Sequence, residues 1–320
     1  MSLDIGRKGW IGIGVESTYG VPVAVTDYIP FTENSLKGMS EKIQNEAAYG
    51  VRDKVFDSVI GKQWSEGDIS INVDKTNVGF FLYGAMGTNT PANVAGSVYD
   101  HTFTRNNSNT PKSFTVINDR VTDRQYYCGI AVKSLEFEVT DSLATAKASL
   151  MGKFPITTTS GSLTTVSGSV FAFKDNAFAF GSTVAAATSA TNLKPSELKV
   201  SIENNSEAVF RHGSANVDQI AHKEFEAKAE GTIFFENTTD RDAYYNNSKQ
   251  AAVMKLTGVG IGGGYTESLA LNFYRTQMES WELETGLADF YAEKFSLVAE
   301  YDNANSKSFD AILRNVRSSY

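Results

Sequence analysis

The sequence predicts an all-β protein with short helices, built as two tandem halves, each a β-sandwich or split barrel carrying one short α-helix. Three observations predict it. Asp68, Ser70 and Asn72 alternate with Ile69, Ile71 and Val73, the period of a strand with one buried face. Past a polar junction at 74–77, Val78, Phe81, Leu82, Ala85 and Met86 fall at i, i+3, i+4, i+7 and i+8, one face of a helix that Gly87 can close in the left-handed conformation. The unit then recurs at an offset of 231 − 67 = 164 residues, about half the chain. There Gly231 opens a strand through Thr232, Ile233, Phe234 and Phe235, and Asn237 to Asp240 precede a helix with Ala243, Tyr244 and Tyr245.

A chain of 320 residues with 41% hydrophobic residues exceeds one usual domain and can bury real cores. The expected division is 1–155 and 156–320. Residues 156–167, nearly all Thr, Ser and Gly, read as the connector. A formal charge of −8 without a Lys/Arg cluster argues against a dedicated DNA binder, which concentrates basic groups opposite phosphates. Cys128 is the single cysteine, so no internal disulfide can form. The first ten residues lack the apolar core of a signal peptide, and no run reaches the ~20 apolar residues of a membrane span.

Taken in order, Trp10 to Phe31 reads as two extended pieces around a turn at Tyr19, Gly20 and Pro22. Gly12 and Gly14 give G-x-G, but Ser17 stands where a dinucleotide fingerprint needs its third glycine and no βαβ unit follows. Residues 34–64 show no clean period and are expected to form a long loop. Lys37, Glu41, Lys42, Glu46, Arg52, Asp53, Lys54, Phe56 and Asp57 are its candidate contact residues: a mobile surface loop, or an arm ordered against another subunit. Residues 88–96 read as another loop. Strands are expected around His101 and Phe103 and around Phe114, Val116 and Ile117. A clear strand follows at 131–140, with Leu135, Phe137 and Val139 on one face and Ser134, Glu136 and Glu138 on the other, and 144–154 is its hairpin partner. The second half replays this: Leu198, Val200 and Ile202 alternate, Leu198–Lys199 echoes Leu36–Lys37, and Ser280, Glu282 and Glu284 alternate with Trp281 and Leu283 ahead of Phe295, Leu297 and Ala299. The two acidic strand faces are either solvated or the wall of an enclosed channel.

No catalytic residues, metal ligands or cofactor are expected. His101, His212 and His222 do not stand at ligand spacing, and His212 and His222 read as solvated loop residues. Cys128, beside Tyr126 and Tyr127, reads as a small core residue. The glycines of 258–264 lack the Lys-Ser/Thr pair of a phosphate loop and mark a turn or linker.

The run Gly6-Arg7-Lys8-Gly9-Trp10-Ile11-Gly12-Ile13-Gly14-Val15-Glu16-Ser17-Thr18-Tyr19-Gly20, continued by Pro22 and Tyr28-Ile29-Pro30-Phe31, resembles the opening of long-tailed (siphovirus-type) phage tail tube, or major tail, proteins. Looser matches follow at 67–73, at 113–116, at Lys174-Asp175 and at Ser201-Ile202-Glu203-Asn204-Asn205. The resemblance implies β-sandwich or split-barrel domains with one helix, rings stacked into a tube, and guidance of DNA during ejection. It implies a structural virion protein, made in the host cytoplasm, whose partners are itself and other tail proteins. Two domains per chain imply trimeric rings with pseudo-sixfold symmetry; six chains per ring would put the second domain outside. Ser134, Glu136, Glu138, Ser280, Glu282 and Glu284 are then the expected lumen-facing residues, past which DNA slides without adhesion, and 34–64 is the expected inter-ring loop. A capsid decoration protein or receptor-contacting tail component, built from the same β domains, is the alternative.

Overall fold

The computed structural model describes residues 5–25, 27–157, 169–285 and 290–320. Its first half comprises β1 (Trp10–Val15), β2 (Asp27–Ile29), β3 (Glu33–Asn34), β4 (Lys37–Asn45), β5 (Asp57–Asn72), α1 (Val78–Met86), β6 (Gly87–Ala95), β7 (Val98–Arg105), β8 (Phe114–Asp119), β9 (Arg124–Val139), β10 (Thr145–Gly152) and β11 (Ile156–Thr157). The second half comprises β12 (Asn176–Gly181), α2 (Val184–Ser189), β13 (Glu197–Glu203), β14 (Glu207–Val209), β15 (Gln219–Ala221), β16 (Glu226–Phe234), α3 (Thr239–Tyr245), β17 (Gln250–Gly262), β18 (Tyr265–Glu284), β19 (Ala292–Ala299) and β20 (Phe309–Asn315). The chain is all-β with short helices. Apart from the β14–β15 ribbon, the strands hydrogen-bond into one continuous network of antiparallel pairs.

Two long strands organise it, because each changes partners along its length. β9 pairs with β8 over its first part and with β10 over its second. β18 pairs with β17 and β20 first, then with β19. One sheet therefore runs β5–β10–β9–β13–β16–β19–β18, with β3 and β4 beyond β5. The halves meet twice. β13 lies along β9, and β7 lies along β20. One core with residues of both halves lies beneath, including Phe80, Phe81, Phe103, Phe137, Phe178, Phe273 and Phe309.

α1 forms where expected but is not amphipathic. Phe80 and Gly84, as well as the expected Val78, Phe81, Leu82, Ala85 and Met86, are buried, because β7, β9 and β20 surround it. Asp74 organises its entry, its carboxylate accepting from the Thr76 N–H at 2.8 Å and the Asn77 N–H at 2.5 Å. Gly87, at φ 81°, closes it with a bond to the Tyr83 carbonyl. Gly84 has no room for a side chain: a Cβ there would stand 2.6 Å from the Phe114 ring.

Several expectations are corrected. Residues 34–64 are not a loop; most of them form the β4–β5 hairpin, from Lys37 opposite Glu66 to Asn45 opposite Asp57. Its outer part is exposed on both faces, so no buried face imposes a period of two. Residues 88–96 mostly form β6, a strand paired, among the described residues, only with β7, which tolerates Pro91 and polar residues. The second half has two helices, since the Ala-rich stretch at 184–189 forms α2, with Thr183 as its cap. Strand pairing lines the two halves up at a different spacing from the sequence match. Lys147 lies between Glu136 and Ser70, and Lys294 lies between Glu282 and Thr232. Matching these triplets puts Ser70 on Thr232, an offset of 232 − 70 = 162, so Gly67 corresponds to Ala229 and not to Gly231. A two-residue shift keeps every side chain on its face, so both alignments place the same positions inward. Within the expected connector, Ile156 and Thr157 pair with β9, and 158–167 lies outside the described residues.

Candidate functional site

The acidic residues singled out in the two halves lie on one face of one sheet. Alternation puts Leu135, Phe137, Leu198, Val200, Ile202, Ala227, Ala229, Phe295 and Leu297 into the core and the residues between them outward. Across the strands, Asn72, Thr145, Glu138, Lys199, Glu230, Ser296 and Ser280 form one row. Ser70, Lys147, Glu136, Ser201 and Lys228 form the next. Glu138 and Glu282, from different halves, line the same open groove of about 390 Å³ together with Lys199, Glu230, Thr232 and Lys294. Ser134 lies on this face beside Ser149, and Glu284 beside Ala292.

Carboxylates outnumber ammonium groups on it. Glu33, Asp68, Glu136, Glu138, Glu197, Glu203, Glu226, Glu230, Glu282 and Glu284 share the face with Lys147, Lys199, Lys228 and Lys294. Each lysine is tied to a carboxylate: Lys199 to Glu136 at 2.9 Å, Lys147 to Asp68 at 3.0 Å, Lys228 to Glu226 at 3.1 Å and Lys294 to Glu284 at 2.6 Å. Bonds to these carboxylates hold all four ammonium groups above the ordinary lysine range. Burial draws the Asp68 carboxyl upward, but the Ser149 and Lys147 bonds outweigh it and leave it below its usual range. Such exposed, solvent-screened pairs add little to stability; their effect is to fix side chains and leave the surplus negative.

The second group, on the β4–β5 arm, is spread along a projecting ribbon. Lys37 lies at its base, Glu41 and Lys42 along it, Asp57 opposite Asn45, and Glu46, Arg52, Asp53, Lys54 and Phe56 at or near the tip. Tyr49 stacks on Phe56 with ring centroids 3.8 Å apart, and Lys54 pairs with Glu46 at 3.3 Å. Ile43, Val51, Phe56, Val59 and Ile60 are all exposed, an unusual apolar load for a free ribbon. The base is fastened to the second half: the Gln63 N–H donates to Ala215 O at 2.8 Å, and Trp64 meets Phe210 edge-on.

Sequence reasoning missed three other features. Glu16, only 2% exposed, accepts hydrogen bonds from the Gly20 N–H, Ser113 Oγ, Thr115 Oγ1 and the Gly129 N–H at 2.7–2.9 Å. It ties the 16–20 turn to β8 and to the bulge of β9, and Tyr19 Oη then accepts from the Ile220 N–H at 3.0 Å. The signal was the glutamate of the Glu-Ser-Thr-Tyr-Gly string, which periodicity cannot interpret. Around α3, Tyr245 is 68% exposed and lies against Trp281, whereas α1 is buried. Finally, His222 is not a solvated loop residue. Its Nδ1 lies 2.8 Å from Ser206 Oγ, and burial, opposed in part by the Gly84 backbone, pushes its pKa down to about 4. His212 is exposed, as expected. Cys128 is half-buried, and burial pushes its thiol up.

Among the described residues, no cluster of three or more His, Cys, Asp or Glu could hold a metal ion, and no helix is long and apolar enough to cross a membrane. No curated protein matches the chain. The family model described as phage tail tube protein matches residues 6–300, nearly the whole length and all of the acidic face. The chain therefore belongs to the phage tail tube protein family, as a structural component of the virion tail.

Proposed function

We propose that rings of this chain stack into the tail tube and that the β5–β18 sheet face is the wall of its bore. The observation that carries this is one polar face drawn from both halves, on which carboxylates outnumber lysines. Phosphates and carboxylates repel, so DNA passes without adhering during ejection. No bond is made or broken, and the protein is not an enzyme. Closing the sheet around an axis removes strand edges that otherwise aggregate.

The two halves act as two copies of one domain. This is supported by the matching orders β5–β10–β9 and β16–β19–β18 and by the matching Glu–Lys placements on them. Three chains then make a ring with pseudo-sixfold symmetry. The β4–β5 arm, with its exposed Tyr49, Phe56, Val59 and Ile60, reaches a neighbouring ring. Assembly partners are further copies and other tail proteins, met after synthesis in the host cytoplasm. Electron microscopy of the purified chain tests the reading. Hollow rods or rings of uniform width are expected, and a protein that stays monomeric at every concentration and salt overturns it.

A further inference from the structure

A buried corner next to the short helices differs between the two halves. On β10, Ala146 lies opposite Ile71 and Phe137, and all three are buried. Its counterpart on β19 is Glu293, which lies opposite Ile233 and Leu283 and is only 2% exposed. The 162-residue offset that puts Ser70 on Thr232 also puts Val78, buried in the first turn of α1, on Asp240 in the first turn of α3. Two apolar core positions of the first half are therefore carboxylates in the second.

Both carboxylates line one cavity of about 220 Å³ at the foot of α3, walled by Leu193, Ile233 and Phe234. Trp281 Nε1 donates to Glu293 Oε2 at 2.6 Å. The Asp240 carboxylate has no hydrogen bond or ion pair among the described residues. Glu236 and Lys194 also line the cavity, and among the described residues Lys194 forms an ion pair with none of the three acids. The other nearby cations are engaged elsewhere: Arg241 binds Asp242 at 2.8 Å, and Lys294, on the opposite face of β19, binds Glu284 at 2.6 Å. Burial raises both carboxyls above their usual range; at Glu293 the Trp281 bond opposes this and the Asp240 charge adds to it. α3 is also lightly held. Ala243 is its one buried residue, whereas α1 is surrounded by β7, β9 and β20.

We propose that Asp240 and Glu293 form a proton-operated latch for α3. With one proton between them, the two carboxyls close across the cavity and hold the first turn of α3 against β19. With both ionised, like charges between apolar walls push that turn away. The direction follows from linkage. A carboxyl held above its ordinary range keeps its proton in the closed form at pH values where the released, hydrated form has lost it. Closure is therefore favoured as pH falls and weakened as pH rises through the titration of the pair. Release uncovers Ala243, Ile233 and Trp281, so pH sets how much apolar surface this corner presents. The latch is a property of the single chain and does not rest on the ring reading.

Amide hydrogen exchange on the purified chain tests it. The amides of Asp242 and Asn246, which donate to the Thr238 and Asp242 carbonyls, report on α3, and those of β10 serve as the reference. After correction for intrinsic rates, protection at Asp242 and Asn246 should rise about tenfold from about pH 8 to about pH 5, while β10 stays level. Asp240→Asn with Glu293→Gln keeps both shapes and removes both ionisations. It should hold α3 at the parent's acidic level of protection at every pH. Asp240→Asn alone removes the like charge and should shrink the response. Parent protection as flat at α3 as at β10 overturns the latch, and so does a double variant that keeps the parent's pH response. Should the double variant fail to fold, the single one decides: a response that Asp240→Asn leaves at full size overturns the latch.

Discussion

Lys75 and Glu267, 192 residues apart in the chain, form an ion pair in which the glutamate is 1% exposed. Ser169 Oγ donates to the second carboxylate oxygen of Glu267 at 2.6 Å. The pair fastens the junction before α1 to β18. Removing one member of a buried pair leaves the other charge without compensation. Lys75→Met is therefore expected to cost about 3 kcal/mol in denaturant unfolding, and the double change with Glu267→Leu should recover much of it. Equal losses in the single and double variants would mean that the pair is not what matters there.

Glu16 carries a similar weight through hydrogen bonds. Glu16→Gln keeps the shape but exchanges one acceptor oxygen for an NH2, so donors among Gly20, Ser113, Thr115 and Gly129 lose their partner. A loss of about 2–3 kcal/mol is expected, together with faster amide exchange at Gly20 and Gly129. Unchanged exchange would show that the carboxylate does not hold the turn.

His222 gives the protein an acid-sensitive contribution. Its pKa in the folded chain is about 4, below the ordinary value near 6.5, so between these two pH values the unfolded chain binds a proton that the folded one does not. Stability from this group is fully present above pH 6.5 and is lost as pH falls through 4, by about 3 kcal/mol in total. Carboxylates titrate in part of the same window, so the measurement is the difference between the parent and His222→Asn. That difference should shrink from pH 7 to pH 4; a flat difference refutes the assignment.

The arm makes a separable prediction. Tyr49 and Phe56 touch each other at an exposed tip, so Tyr49→Ser with Phe56→Ser should leave thermal stability of the single chain nearly unchanged, within about 0.5 kcal/mol. Rings should still form but fail to lengthen. Rods of parental length would remove the arm from the stacking role.

On the sheet face, Glu138→Lys and Glu230→Lys reverse charge in the groove. Assembly should persist while DNA release slows, and added salt should restore much of the rate because it screens charge over about 10 Å. Release at the parental rate would place the bore elsewhere.

How much of this was legible follows from where burial imposes a pattern. The alternations at 69–73, 135–139 and 198–202 were readable because one side of each strand enters the core. The β4–β5 arm was not, because Ile43, Val59 and Ile60 are exposed and no face of it is buried. The acidic faces were visible as strands, but nothing local announced that Lys199, 61 residues from Glu138, would lie opposite it and join the two into one surface. The interleaved lysines were likewise missed, since Lys147, Lys199 and Lys294 sit on partner strands. Glu16 shows the remaining limit: a single buried carboxylate with partners near 20, 113, 115 and 129 has no periodic signature.

The β7–β20 pairing runs from Tyr99 opposite Asn315 to Thr104 opposite Asp310, so a hairpin that leaves the first half completes a sheet of the second. Rotation of one half against the other has to break this zipper and the β9–β13 zipper together. Among the described residues the two halves are therefore locked together at two seams far apart in sequence, and in the proposed stack of rings any curvature of the tail would arise between rings and not within one chain.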